Sequence, residues 1–187
     1  MSREHACVEG VKEGIQARLV SDRLHVSTGF RLPYAMHVES YPSDSGGLIT
    51  TAPKTRPFGY QTDLLIADLL EGGGWVPRVV VEFKFGRIST HDALTYSAKA
   101  ATHKNVHPYL RYGIVVGGYD AQVPVRLVRH GHHFDFMLTI ASEVLGDADQ
   151  EQVVSLLQDE VQASREIGGL LSAKSSIRLV HRKLHVG

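Results

Sequence analysis

Residues 79–85 read Val-Val-Val-Glu-Phe-Lys-Phe, five apolar residues interrupted twice, at Glu82 and Lys84. An extended chain sends alternate side chains to opposite faces, so Glu82 and Lys84 share one face while Val81, Phe83 and Phe85 take the other. Before this run, residues 62–70 are apolar apart from Asp63 and Asp68, and Gly72, Gly73 and Gly74 separate the two stretches. The pattern predicts adjacent strands over 62–70 and 76–85 that turn at the glycines.

The remaining periodicities complete an α/β outline. Val8, Val11, Ile15 and Leu19 recur at helical steps and predict an amphipathic helix over 4–19, weakened by Gly10 and Gly14, each costing about 1 kcal/mol relative to alanine. Residues 31–38 read as a strand. Residues 41–59 hold three prolines, three glycines and several hydroxyl side chains, which predicts a long turn-rich loop, either functional or mobile. Ser89 or Thr90 caps a helix running to about residue 105, with Asp92 three positions after Ser89 as in a capping box. Ala93, Ala98, Ala100 and Ala101 let that helix pack closely on a sheet. Residues 112–116, between Pro108 and the Gly117–Gly118 pair, predict a buried strand. Residues 123–128 and 134–140 fit two strands, or a strand and a short helix. Residues 148–171 carry Val153, Val154, Leu157, Val161, Ile167 and Leu171, a long amphipathic helix, and the basic, partly alternating residues 177–186 read as a last strand. The outline is an α/β fold, a mixed central sheet flanked by helices, in one domain over 1–187 with its chemical core at about 59–118.

Composition narrows the partners. The 187 residues, 43% hydrophobic, suffice for one core. Twenty basic against 20 acidic residues, with 11 histidines, leave no net field toward a polyanion, so nucleic-acid contact requires a local patch or a metal that offsets acidic ligands. Cys7 is the only cysteine, which excludes an internal disulfide and fits a reducing compartment. With no apolar run of about 18 residues and no signal-like N-terminus, the expectation is a soluble, cytoplasmic protein.

A hairpin centred between Gly72 and Gly73 places Asp63 opposite Glu82, whereas Asp68 falls near Arg78, away from Glu82. Opposed side chains in such a pair lie about 4.5–5.5 Å apart at Cβ, close enough for two carboxylates to share a hard cation. The backbone carbonyl of Phe83 adds a third oxygen. Asp63, Glu82 and the Phe83 carbonyl are thus candidate metal ligands, and Lys84 is positioned to orient a water and compensate a phosphate's charge. Together they meet the needs of phosphodiester hydrolysis: an activated water, a stabilised dispersed charge and a neutralised leaving oxygen. Without that chemistry, Glu82 and Lys84 are a surface ion pair worth about 0–1 kcal/mol, and Asp63 is a turn residue bonded to backbone.

Gln61-Thr62-Asp63 before an apolar strand, then Glu82-Phe83-Lys84 closing a second strand, then helix and strand, resembles the PD-(D/E)XK nuclease superfamily, which includes many type II restriction endonucleases. The likeness covers about residues 59–118. It implies a restriction endonuclease-like fold, a mixed four-stranded sheet flanked by helices, with Asp63 and Glu82 as metal-binding acids and Lys84 as the motif lysine. Thr62 stands where the motif has proline, a departure that removes no catalytic group. The resemblance implies a Mg2+-dependent endodeoxyribonuclease of restriction type, with Mn2+ able to substitute. The alternatives are a non-cutting nucleic-acid-binding or defence accessory protein of the same fold, and a repair or junction-resolving nuclease.

Other residues are candidates for supporting roles. Glu9 and Glu13, one helical turn apart, are accessory acids or a solvated face. Lys99 and Lys104, with Thr95, Tyr96 and His103 on the same helix, touch DNA phosphate, support the site or serve solubility. Arg126, Arg129, Arg178, His181, Arg182 and Lys183 form two basic segments suited to a DNA patch. His130, His132 and His133 invite a zinc reading, but no fourth ligand is evident and a polar loop fits better. Cutting both strands of a duplex with one site per chain implies a homodimer, for which the helix at 148–171 offers an apolar face.

Overall fold

The computed structural model describes residues 9–10, 13–14, 16–18, 23–44, 46–119, 122–141 and 146–172. The elements are β1 (Leu24–Thr28), β2 (Arg31–Ser40), β3 (Ser43–Asp44), β4 (Gly47–Leu48), β5 (Lys54–Gln61), β6 (Leu64–Leu69), β7 (Trp75–Phe85), α1 (Thr90–Val106), β8 (Arg111–Gly117), α2 (Val125–His130), β9 (Phe136–Ile140) and α3 (Asp147–Ser172). A five-stranded sheet runs in the order β1-β6-β7-β8-β9. Its first three strands are antiparallel, and β7, β8 and β9 are parallel. This is a mixed sheet flanked by helices, with one strand more than the resemblance implies. Among the described residues no helix is long and apolar enough to cross a membrane.

Strand alternation sorts the core into two layers. Val79, Val81 and Phe83 of β7 meet Val153, Val154, Leu157 and Val161 of α3 on one face. Val80 of β7, with Tyr112, Ile114 and Val116 of β8, meets Ala93 and Ala100 of α1 and Leu127 of α2 on the other. Complete burial of a valine or leucine contributes about 1.5–3 kcal/mol, so the apolar stripe of α3 belongs to its own sheet. Val153, Val154, Leu157 and Val161 of the face expected to pair with a second copy are thereby covered by the sheet, whereas Leu171 at the end of the helix is exposed.

The segment expected as a long loop is largely a ribbon. β5 pairs with β2 from Arg31↔Gln61 to Ser40↔Lys54, and β3 and β4 form a small ladder beyond them. Pro57 pairs with Met36 on a two-stranded ribbon, where a missing N–H faces solvent rather than a third strand. The ambiguous residues 123–128 and 134–140 resolve into α2 and β9. The described residues between 9 and 18 are helical, and the strand expected at 177–186 lies outside the described residues.

The β6–β7 hairpin carries the detail on which the site depends. Leu70 N–H donates to the Gly74 carbonyl at 3.1 Å across a turn in which Gly72, Gly73 and Gly74 have φ of 83°, 91° and 93°, values that strain any residue with a Cβ. Pairing next to the turn is Leu69↔Trp75, Asp68↔Val76 and Ala67↔Pro77; beyond it the pairs are Ile66↔Val79, Leu65↔Val80 and Leu64↔Val81. Arg78 is therefore an extra residue, a β-bulge, and β8 begins its pairing only after it, at Val79. Continued by one position, the outer register sets Asp63 opposite Glu82; the inner register would set it opposite Val81, on the α3 face.

Arg78 Nε donates to Asp68 Oδ2 at 2.6 Å, and Arg165 Nη2 of α3 donates to Asp68 Oδ1 at 2.8 Å. Burial acts to raise the Asp68 pKa, but the bonds from Arg165 and Arg78 outweigh it and hold the carboxyl below its ordinary value. Asp68 thus ties the bulge to the long helix. Asp68→Ala is expected to cost about 1–3 kcal/mol of stability by removing the carboxylate that joins Arg78 to Arg165, which a shift of the urea midpoint will measure.

Candidate active site

Asp63 occupies the bend between β5 and β6. The preceding residue, Thr62, is fully buried and directs both its N–H, at 2.9 Å, and its hydroxyl, at 3.0 Å, to the Phe30 carbonyl. So anchored, the chain presents Asp63 to the end of β7, where Asp63 Oδ2 accepts from Phe83 N–H at 2.8 Å. In an extended strand the N–H and C=O of one residue point to the same side, so the Phe83 carbonyl projects along the same edge as Asp63. Asp63 and the Phe83 carbonyl, two of the three oxygen donors expected to gather, thus share one strand edge.

Glu82 lies on the α1 face of β7 and is 1% exposed. Lys99 Nζ donates to its Oε1 at 2.8 Å, and the Tyr112 hydroxyl donates to the same oxygen. No described residue hydrogen-bonds to Oε2. Burial pushes the Glu82 pKa from 4.5 up to about 7; Lys99 acts against this shift and the neighbouring Asp63 carboxylate adds to it. Burial and the Glu82 charge together push the Tyr112 phenol up, so it stays a neutral donor. Lys84 follows on the same face two residues on, with Nζ 3.8 Å from Asp92 Oδ1. Asp92 is itself held by the capping box with Ser89 at the start of α1.

Lys99 and Tyr112 are the residues that reading the chain did not assign to Glu82. Lys99, expected as a DNA contact, a support for the site or a solubility residue, points inward: its Nζ lies 3.4 Å from the Gln61 carbonyl, 5.3 Å from the Tyr96 ring centroid and 5.9 Å from that of Tyr60. The signal for it was the spacing of Tyr96, Lys99 and His103, one face of α1. For Tyr112 it was a tyrosine in a buried strand, whose hydroxyl requires a partner. Behind them His103 is fully buried, with Nδ1 3.3 Å from the Pro33 carbonyl, its ring stacked on Tyr112, and Nε2 without a partner among the described residues. Burial holds His103 neutral by driving its pKa from 6.5 down to about 4.

The other candidates fall elsewhere. Glu9 accepts from Thr28 Oγ1 at 3.1 Å; Thr28 pairs with Leu64, whose side chain lies on the α3 face, opposite Glu82. Glu13 is exposed. Lys104 bonds Asp135, which also holds Arg111, and the His133 carbonyl. His130 ends α2, while His132 and His133 lie in the turn that follows; among the described residues no three His, Cys, Asp or Glu side chains form a metal-holding group. Arg126 and Arg129 are exposed on α2. Arg178, His181, Arg182 and Lys183 lie outside the described residues.

A magnesium ion needs only one or two carboxylates and keeps several waters, so Asp63, Glu82 through Oε2 and the Phe83 carbonyl suit it in number and kind. A carboxyl held near pH 7 by burial and a second carboxylate is also one whose ionised form a divalent cation would favour, with release of a proton. The chain matches no family model and no curated protein sequence.

Proposed function

We propose that this chain is a Mg2+-dependent endodeoxyribonuclease of the PD-(D/E)XK kind, and that Asp63, Glu82 and Lys84 perform the cut. The observation that supports it best is the placing of Asp63 and Glu82 side by side at the end of a buried strand, with Lys84 next on the same face. Bound there, magnesium would supply Lewis acidity and a more acidic water. Asp63 and Glu82 hold the site; Phe83 N–H fixes Asp63, and Tyr112 with Lys99 fixes Glu82. Lys84, one strand step from Glu82, is placed to orient the attacking water and to offset phosphate charge. The mixed sheet between helix layers is compatible with the restriction endonuclease-like architecture. A restriction role, a homodimer and a cytoplasmic setting belong to the same proposal; the dimer would have to use a surface other than the covered stripe of α3.

One observation favours a second reading. Lys99 already neutralises Glu82 from within, as expected of a fold that engages nucleic acid without cutting it.

Cleavage and gel-shift assays after EDTA treatment separate the two. Cutting readings expect magnesium and manganese to support cleavage. Calcium, with longer and looser coordination, is expected to support DNA binding with little or no cutting. Tight binding that no divalent ion alters, without cleavage under any ion, would replace the first reading with the second. Inactivation by mild chelation that zinc alone reverses would instead restore the histidine reading.

A further inference from the structure

A crevice of about 560 Å3 opens where the parallel strands β7 and β8 end. Arg87 and Ile88 of the β7–α1 connection line it, with Tyr119 after β8 and Arg126, Arg129 and His130 of α2. Its volume is within the range of small-ligand sites, and the carboxyl ends of parallel strands are where open α/β sheets bind ligands. No described lining residue is acidic, and none of the three guanidinium groups has a carboxylate partner among the described residues. Arg126 Nη1 reaches the Ile88 carbonyl at 3.4 Å, which aligns one arginine along the wall. Elsewhere on this neutral chain arginines find acids: Arg78 and Arg165 share Asp68, and Arg111 joins Asp135 and Glu160. Three guanidinium groups without a carboxylate partner among the described residues thus line one crevice, where an anion would gain from all three.

We infer that this crevice is a phosphate-binding subsite that grips the nucleic-acid strand to one side of the Asp63–Glu82 pair. Arg87, Arg126 and Arg129 bind the anion, and Tyr119 provides a flat surface for the adjoining sugar or base. Guanidinium forks suit phosphate oxygens, and aromatic rings stack on any base, so the subsite is indifferent to sequence. Lys84 precedes Arg87 by three residues, the last two beyond the end of β7, so at most about 10 Å of chain separates them and phosphate held in the crevice belongs to a nucleotide close to the site of cutting. The inference rests on the phosphodiesterase reading for its substrate, though not for the anion.

The test is fluorescence anisotropy of labelled DNA in calcium, comparing the full-length chain with Arg126→Glu/Arg129→Glu and with Arg18→Glu/Arg23→Glu, a matched charge change at residues that do not line the crevice. Circular dichroism checks that both variants fold. The crevice variant is expected to bind at least about 10-fold more weakly, with the salt slope reduced by about 1.4–1.8 for two lost phosphate contacts, and the control is expected to stay near wild type. Oligonucleotides with and without a 5′-phosphate identify the anion. A preference for the phosphate that vanishes in the crevice variant marks a terminal monoester, whereas equal weakening of both marks an internal diester. Wild-type affinity and slope in the crevice variant, or an equal loss in the control, would overturn the inference. The two readings also fail separately: loss of binding in the variant of a protein that never cuts keeps the crevice and rejects the nuclease, while unchanged binding and cutting in the variant does the reverse. A wild-type protein that neither binds nor cuts rejects both.

Discussion

Glu82→Ala, Asp63→Asn and Lys84→Ala are each expected to lower DNA cleavage by about 10³-fold or more while the protein remains folded. Asparagine is the informative change at Asp63, because it keeps an oxygen for Phe83 N–H and removes only the charge. Lys84 meets Asp92 at 3.8 Å and is half-buried, so its loss leaves the fold little altered. Asp68→Ala is the opposing control: destabilised, yet close to wild-type rate per folded molecule, since Asp68 serves Arg78 and Arg165. Initial rates on supercoiled DNA, corrected for the folded fraction, decide the matter. Retained activity in Glu82→Ala would remove the site assignment, and a dead Asp68→Ala beside an active Asp63→Asn would transfer it to the other acid.

The second large effect is on stability. Burial raises Glu82 from 4.5 to about 7, so between those values the folded protein holds a proton that the unfolded chain has released. Its contribution is complete below about pH 4.5 and lost as pH rises through 7, and it amounts to about 3 kcal/mol. His103 acts in the opposite sense. With its pKa driven from 6.5 to about 4, its contribution is complete above 6.5 and lost as pH falls through 4. Over the shared window the two slopes oppose, and variants separate them. Relative to wild type in EDTA, Glu82→Gln is expected to gain about 2–3 kcal/mol between pH 5 and pH 8, and His103→Gln to move in the reverse direction between pH 4 and pH 6.5. Urea unfolding across this range measures both. A Glu82→Gln difference that does not change with pH would show that the carboxyl is not held near neutrality.

Elements with dense local signals were legible in the chain. The five apolar residues around Glu82 and Lys84 announced β7, and Ser89 with Asp92 announced the start of α1 through a capping box that the fold contains. The strand read over 31–38 is β2, but its partner β5 was not legible, because Pro53, Pro57 and Gly59 are turn residues by any local rule and a ribbon with solvent on much of its surface carries little hydrophobic alternation. Which cation meets Glu82 was signalled only in part, by the face that Tyr96, Lys99 and His103 share. Sequence order favours Lys84, two residues away; the docking of α1 brings Lys99 from seventeen residues away, and nothing local encodes the rotation of a helix about its axis. The opposition of Asp63 and Glu82 followed from an even turn between Gly72 and Gly73, but the fold reaches it with a turn centred on Gly72 and the bulge at Arg78.

That bulge makes the hairpin count by parity. Each residue added to or removed from the arm between Asp63 and Glu82 exchanges the faces of everything beyond it, so a change of one sends Asp63 through the sheet toward α3, and a change of two brings it back. The turn at 70–74 and the bulge are therefore interchangeable as sources of the odd residue and not independently adjustable. Related chains that conserve the paired acids should vary in this arm by even numbers of residues, or lose the bulge whenever the turn grows by one.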